Sequence, residues 1–244
     1  MGCRLTFRRL GLGAAALIAA AQIGCSDPAG GRSPAEVLSV ASAGLEGVDR
    51  YTFRSRTAVR YDGIELQELE SYEGEIAGHA VRMIRGLSGG SAWAADSPET
   101  PSSRLAELAG RAAEIGFAEE APEGCMLLRV KLSGEAAARD IRARLMRQFE
   151  RAAVRAESGP AADVDGFRRA VADETARSRR KLSRMLDGLK AETSVLVTID
   201  RRMMLPLALE ETSVLRYEAG GRMRTEERVT RMVLDGFDGR PSAS

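Results

Sequence analysis

The sequence predicts an α+β protein: antiparallel strands packed on helices, with a helical hairpin inserted between two strands. Three observations carry that expectation. Apolar and polar residues alternate with period two over 51–61, 126–132 and 193–201. Apolar residues recur at helical spacing over 34–48, over 103–116 and over two long stretches on either side of a turn-rich break at 158–166. The strand-like runs are joined by Asp62-Gly63 and Gly220-Gly221, dipeptides that tolerate positive φ and so suit tight hairpins.

Taken in order, the chain opens with MGCRLTFRRL, which holds Arg4, Arg8 and Arg9 and no acid, and no charge follows until Asp27. The apolar run 14–24 is shorter than the roughly 20 residues a membrane-spanning helix needs. A basic start, a short apolar middle and a boundary of small residues at Gly24-Cys25 describe an export signal. This segment resembles a bacterial lipoprotein signal. The resemblance implies that residues 1–24 are removed and that Cys25 becomes the acylated first residue, a palmitate-bearing anchor holding the protein on the extracytoplasmic face of a cell membrane. Met1 to Thr6 also fit the M-G-x-x-x-[ST] myristoylation pattern, which would place the chain on a cytoplasmic face but leaves the apolar run without a purpose.

Residues 25–32 read as a polar tether. Ser33, Pro34 and Glu36 form a helix-start signal, with Val37, Leu38, Val40, Ala41, Leu45 and Val48 behind it. Tyr51, Phe53, Ser55, Thr57, Val59 and Tyr61 then line one face of a strand whose other face carries Arg54, Arg56 and Arg60. The partner strand, Ile64 to Ile76, carries Glu68, Glu70, Glu73 and Glu75, acids able to lie across from those arginines. A third strand is expected at 79–87, a loop at 86–103, a short helix at 103–116, and a strand from Cys125 to Leu132. Ser133 caps the first inserted helix, and the second runs from Phe167 to about Lys190. The tail, from Thr193 to Asp235, reads as a three-stranded meander.

Composition narrows the function classes. The chain has 244 residues; residues 1–24 hold three of its 36 basic groups and no acid, so the remaining 220 residues carry 33 basic against 35 acidic groups. That balance offers no footprint for nucleic acid. With Cys3 in the signal and Cys25 acylated, Cys125 is a lone thiol in an apolar strand and reads as a small core residue. His79 is the single histidine, which rules out the commonest zinc constellations and any histidine-based triad except through itself, and it sits at a turn. Neither a phosphate-cradling G-x-x-x-x-G-K-[ST] nor a G-x-G-x-x-G occurs after a strand. No enzyme chemistry, cofactor or metal is therefore expected. The densest basic run, Arg177 to Lys181 with Arg184, reads either as a solvated helix face or as a patch for anionic lipid.

Two stretches support a further likeness. VDRYTFRSRTAVRYDG, and VTIDRRMMLPLALEE with its Ile199-Asp200 and Leu205-Pro206, resemble units of the LolA-like half-barrel lipoproteins, and Leu234-Asp235-Gly236-Phe237 resembles the close of their last strand. The resemblance implies one domain over 33–237, a curved antiparallel half-barrel wrapped on helices. The insertion at about 133–191 would then be extra to the half-barrel, and 238–244 a tail. It also implies a protein that carries or senses a lipid or lipoprotein in an apolar cavity. Leu38, Leu45, Tyr51, Phe53, Val59 and Tyr61 would line that cavity, or alternatively form plain core. The same fold without a small-molecule ligand would serve as an interaction or sensor module for another envelope protein.

Overall fold

The computed structural model describes residues 30–88, 100–158 and 165–238. The expected signal, Cys25 and most of the tether lie outside them, as do most of the loop at 86–103, the centre of the helical break and the tail beyond Asp238. The described residues form four helices and eight strands. In chain order these are α1 (Pro34–Glu46), β1 (Arg50–Tyr61), β2 (Ile64–Ala77), β3 (Ala80–Ser88), α2 (Pro101–Arg111), β4 (Ala112–Phe117), β5 (Cys125–Leu132), α3 (Gly134–Ser158), α4 (Asp165–Asp187), β6 (Lys190–Asp200), β7 (Pro206–Ala219) and β8 (Arg222–Asp235). The α+β expectation holds, with an open antiparallel sheet in the order β3-β2-β1-β8-β7-β6-β5-β4.

Local signals account for most boundaries. Ser33 Oγ accepts the Glu36 N–H at 3.3 Å while the Glu36 carboxylate accepts the Ser33 N–H at 2.7 Å, a reciprocal cap that starts α1. Asp62 (φ 46°) and Gly63 (φ 81°) make the β1–β2 turn. Asp62 also ties that turn to β8, accepting the Thr225 N–H at 3.0 Å and pairing with Arg224 at 2.6 Å. At the β6–β7 turn, Asp200 Oδ1 accepts the N–H groups of Arg202 (2.8 Å) and Met203 (2.7 Å), and the Asp200 N–H donates to the Leu205 carbonyl.

One expectation is corrected. The helix predicted over 103–116 ends at Arg111, and Ala112–Phe117 is a strand. Ala112 turns into extended backbone at φ −60°, ψ 129°, and Ile115 then pairs with Val130 of β5. Edge pairing to β5 outweighs the helical spacing of Ala112 and Ile115.

The helices cover one face of the sheet. α1 buries Val37, Leu38, Ala41 and Leu45, and α2 buries Leu105 and Leu108, in one core with Val195, Val197 and Ile199 of β6 and Leu209 of β7. Each fully buried leucine there contributes about 1.5–3 kcal/mol relative to exposure. α3 and α4 form an antiparallel hairpin between β5 and β6. Arg142 near the start of α3 donates to the Leu186 carbonyl at the end of α4, and Glu150 pairs with Arg179 farther along. On the opposite face of the sheet, Arg54 lies across from Glu73, and Arg50 reaches Glu75 at 3.7 Å, as the charge pattern suggests. Arg60 instead pairs with Glu227 of β8 at 2.6 Å.

Candidate functional site

The covered face of the sheet changes character along β2, β1, β8 and β7, and the change falls at one level on those four strands, whereas β6 stays apolar there with Val195 opposite Glu211. From its apolar end, β7 presents Leu209, Glu211, Ser213, Leu215 and Tyr217; β1 presents Tyr51, Phe53, Ser55 and Thr57; β8 presents Leu234, Met232, Thr230, Arg228 and Glu226. Register joins the polar positions into a row: Glu70 of β2 is opposite Thr57, Thr57 opposite Thr230, and Thr230 opposite Glu211. The two threonine hydroxyls meet at 3.0 Å.

α3 places arginines over this row. Arg144 reaches Glu211 Oε1 at 3.2 Å. Burial lifts the Glu70 carboxyl above its ordinary value, and the charge of Arg151 opposes the rise. Arg144 and Arg151 are seven residues apart and share a helix face.

Around Glu211 the charges close into a buried cluster. Arg104 of α2 donates to Glu211 Oε2 at 2.5 Å, to Asp140 Oδ2 of α3 at 3.0 Å and to Glu107 at 3.1 Å. Arg144 also meets Asp140 at 3.3 Å, and Arg111 meets its other oxygen at 3.0 Å. Ser213 donates to Glu211 at 3.3 Å and shares a 2.8 Å bond with Thr193. Arg104 and Asp140 are each 4% exposed. Burial pushes the Glu211 carboxyl upward, but the guanidinium groups of Arg144 and Arg104 more than offset it, leaving the group below its ordinary value. Held this way, Glu211 is a poor proton donor near neutral pH. The cluster fastens two helices to one strand.

A second polar group closes the far end of the same face. Tyr217 donates to Glu226 at 2.9 Å, Arg228 pairs with the other oxygen of Glu226, and Arg224 stacks 5.7 Å above the Tyr61 ring. Burial, with the Glu226 charge beside it, pushes the Tyr217 hydroxyl well above its usual range.

The sequence-predicted lining residues divide between these regions. Leu38 (0% exposed), Leu45 (1%), Tyr51 (2%) and Phe53 (2%) pack together at the apolar end. There the Tyr51 ring lies 6.1 Å from Phe237, and Phe53 meets Tyr72 edge-on at 6.2 Å. Val59 is half-buried beyond the polar row, and Tyr61 is exposed at the hairpin end. The six therefore do not line a single cavity. Cys125 is buried, and burial raises its thiol, as a core residue requires. His79 sits exposed in the β2–β3 turn at φ 57°.

An open groove of about 480 Å³ lies elsewhere, between the first turns of α3 and the end of the β6–β7 pair where Lys190 lies opposite Arg216. Its floor is Ala138, Leu189 and Ala191, and its rim carries Glu135, Arg139, Arg142, Lys190, Glu192 and Arg216. The buried cluster and this groove both escaped the sequence. Their members lie up to 107 residues apart, and the local hints were helix-spaced pairs alone: Arg104–Glu107, Glu135–Arg139 and Asp140–Arg144.

Among the described residues no group of three or more His, Cys, Asp or Glu side chains could hold a metal ion, and no helix is long and apolar enough to cross a membrane. No protein-family model matches the chain, and no curated protein matches it at significance.

Proposed function

We propose that this chain is an exported, lipid-anchored envelope protein of LolA-like architecture whose α3–α4 hairpin engages another envelope protein. Anchoring rests on the signal-like residues 1–24 and Cys25. The observation that carries the interaction reading is a contrast in packing. The space beneath the sheet at α1 and α2 is filled, whereas Val154 (63% exposed) and Phe167 (44%) stand in solvent toward the hairpin tip. α4 buries only Leu186 among its described side chains, so most of its surface is open to a partner.

A second reading keeps a carrier of an amphiphilic lipid. It is favoured by the way the hairpin is fastened: Arg144 of α3, itself paired with Asp140, reaches Glu211 of the sheet, so lifting the hairpin uncovers a floor that is polar at Glu211 rather than wholly apolar. A photo-crosslinking residue at Phe167 or at Val154, with Ile64 as an exposed control, separates the two in cells. The interaction reading expects one protein adduct of constant mass from the hairpin positions, none from Ile64, and loss of the adduct with Cys25→Ser. Stoichiometric lipid in extracts of the purified protein, with no adduct, would instead establish the carrier.

A further inference from the structure

We infer that the groove between α3 and the end of the β6–β7 pair is a binding site for a phosphate-bearing anion. Lys190 and Arg216 are direct cross-strand partners. Like charges placed opposite each other destabilise a strand pair unless a counter-charge lies between or beside them. Arg216 has such a partner in Glu192 at 2.8 Å, and Arg139 has Glu135 at 2.8 Å. Lys190 has no carboxylate within ion-pair distance among the described residues. Arg142 is fixed by main-chain carbonyls alone, donating to Leu186 at 2.7 and 3.1 Å.

The rim thus holds four cations against two carboxylates, with two of the cations lacking an acidic partner. The first turn of the 25-residue helix α3 forms one wall, adding the positive end of its dipole. Ala138, Leu189 and Ala191 give the floor room for a short apolar portion next to the charged group. A phosphate diester or monoester meets these features: it takes several N–H donors at once and tolerates carbon on one side. The chemistry is shared by an anionic phospholipid headgroup and by free phosphate. This site stands apart from the hairpin tip, so it does not depend on the protein-partner reading.

The test uses the full chain carrying Cys25→Ser, so that no acyl group anchors it, with two probes. These are phosphatidylcholine vesicles with and without phosphatidylglycerol, and inorganic phosphate followed by titration calorimetry. The variants are Lys190→Glu, Lys190→Arg and, as a charge control on the exposed face of α4, Arg180→Glu. Binding to phosphatidylglycerol vesicles should fall about 25-fold in Lys190→Glu, since one basic contact is worth about fivefold and reversal counts twice. It should persist in Lys190→Arg and change less than twofold in Arg180→Glu, which assigns a headgroup. Phosphate binding lost in Lys190→Glu, without vesicle preference, assigns free phosphate to the same site. An equal loss in Arg180→Glu, or no binding of either probe by the parent chain, overturns the proposal. Because Lys190 is exposed, Lys190→Glu should melt with the parent, and Lys190→Arg covers the case in which it does not.

Discussion

The two ends of the covered sheet face solve one problem in opposite ways. At the apolar end, α1 is held by shape: Val37, Leu38, Ala41 and Leu45 interlock with strand residues and with no charged group. At the polar end, α3 adds pairing to the packing of Ala137 and Ile141: Asp140 and Arg144 meet Arg104 and Glu211. Apolar packing is non-directional, while a charge cluster in a dry place also fixes the direction of each partner. α1 is thus held by packing alone, whereas the hairpin adds charge pairing to the apolar contacts that Ala137, Ile141 and Leu186 make with the same core.

The sharpest way to break this contrast is to remove one member of the cluster. Arg104→Ala leaves Asp140 and Glu211 buried with fewer partners and should cost about 3–5 kcal/mol in chemical denaturation. Replacing the set together (Arg104→Met, Asp140→Leu, Arg144→Met and Glu211→Leu) should be close to neutral or stabilising, because no charge is then stranded. Leu38→Ala at the apolar end should cost about 2–5 kcal/mol by the same measurement, and no second substitution should restore it short of refilling the volume. Gly74→Ala tests that end from the other side. A Cβ there would lie 2.4 Å from the Phe53 ring, so overpacking should cost about 1–3 kcal/mol.

Acid titration separates the two ends without mutation. Glu211 has a lowered carboxyl in the folded state, so its contribution is complete above its ordinary value of 4.5 and is lost as pH falls through the folded value. Below pH 4.5, hydrogen exchange should therefore quicken in α3 before it quickens in α1. The smallest effect is expected on the opposite face of the sheet, where Arg54→Ala should change stability by about 0.5 kcal/mol or less, since the Arg54–Glu73 pair is 3.6 Å long and largely exposed at the arginine.

Local chemistry was legible in the sequence; convergence was not. The Ser33 cap, the Asp62-Gly63 turn and the alternation in β1 follow from residues within a few positions of one another, and each is where the spacing put it. The strand at 112–117 was hidden because Leu105, Leu108, Ala112 and Ile115 continue a helical spacing, and only the neighbouring β5 decides otherwise. The polar row was half visible, since Ser55 and Thr57 interrupt the aromatic face of β1. Its counterparts, Thr230 and Glu211, are brought to it by a strand order that alternation does not encode.

That strand order also governs how the molecule is made. β1 is zipped to β8, and the Asp238 N–H reaches back to the Arg50 carbonyl at 2.7 Å. The first and last of the described strands thus meet at a seam. Until β8 is in place, β1, β2 and β3 carry an unpaired border beside β1. A sheet closed this way is completed only by a strand far along the sequence, and until then its open border is available to anything with a strand to lend.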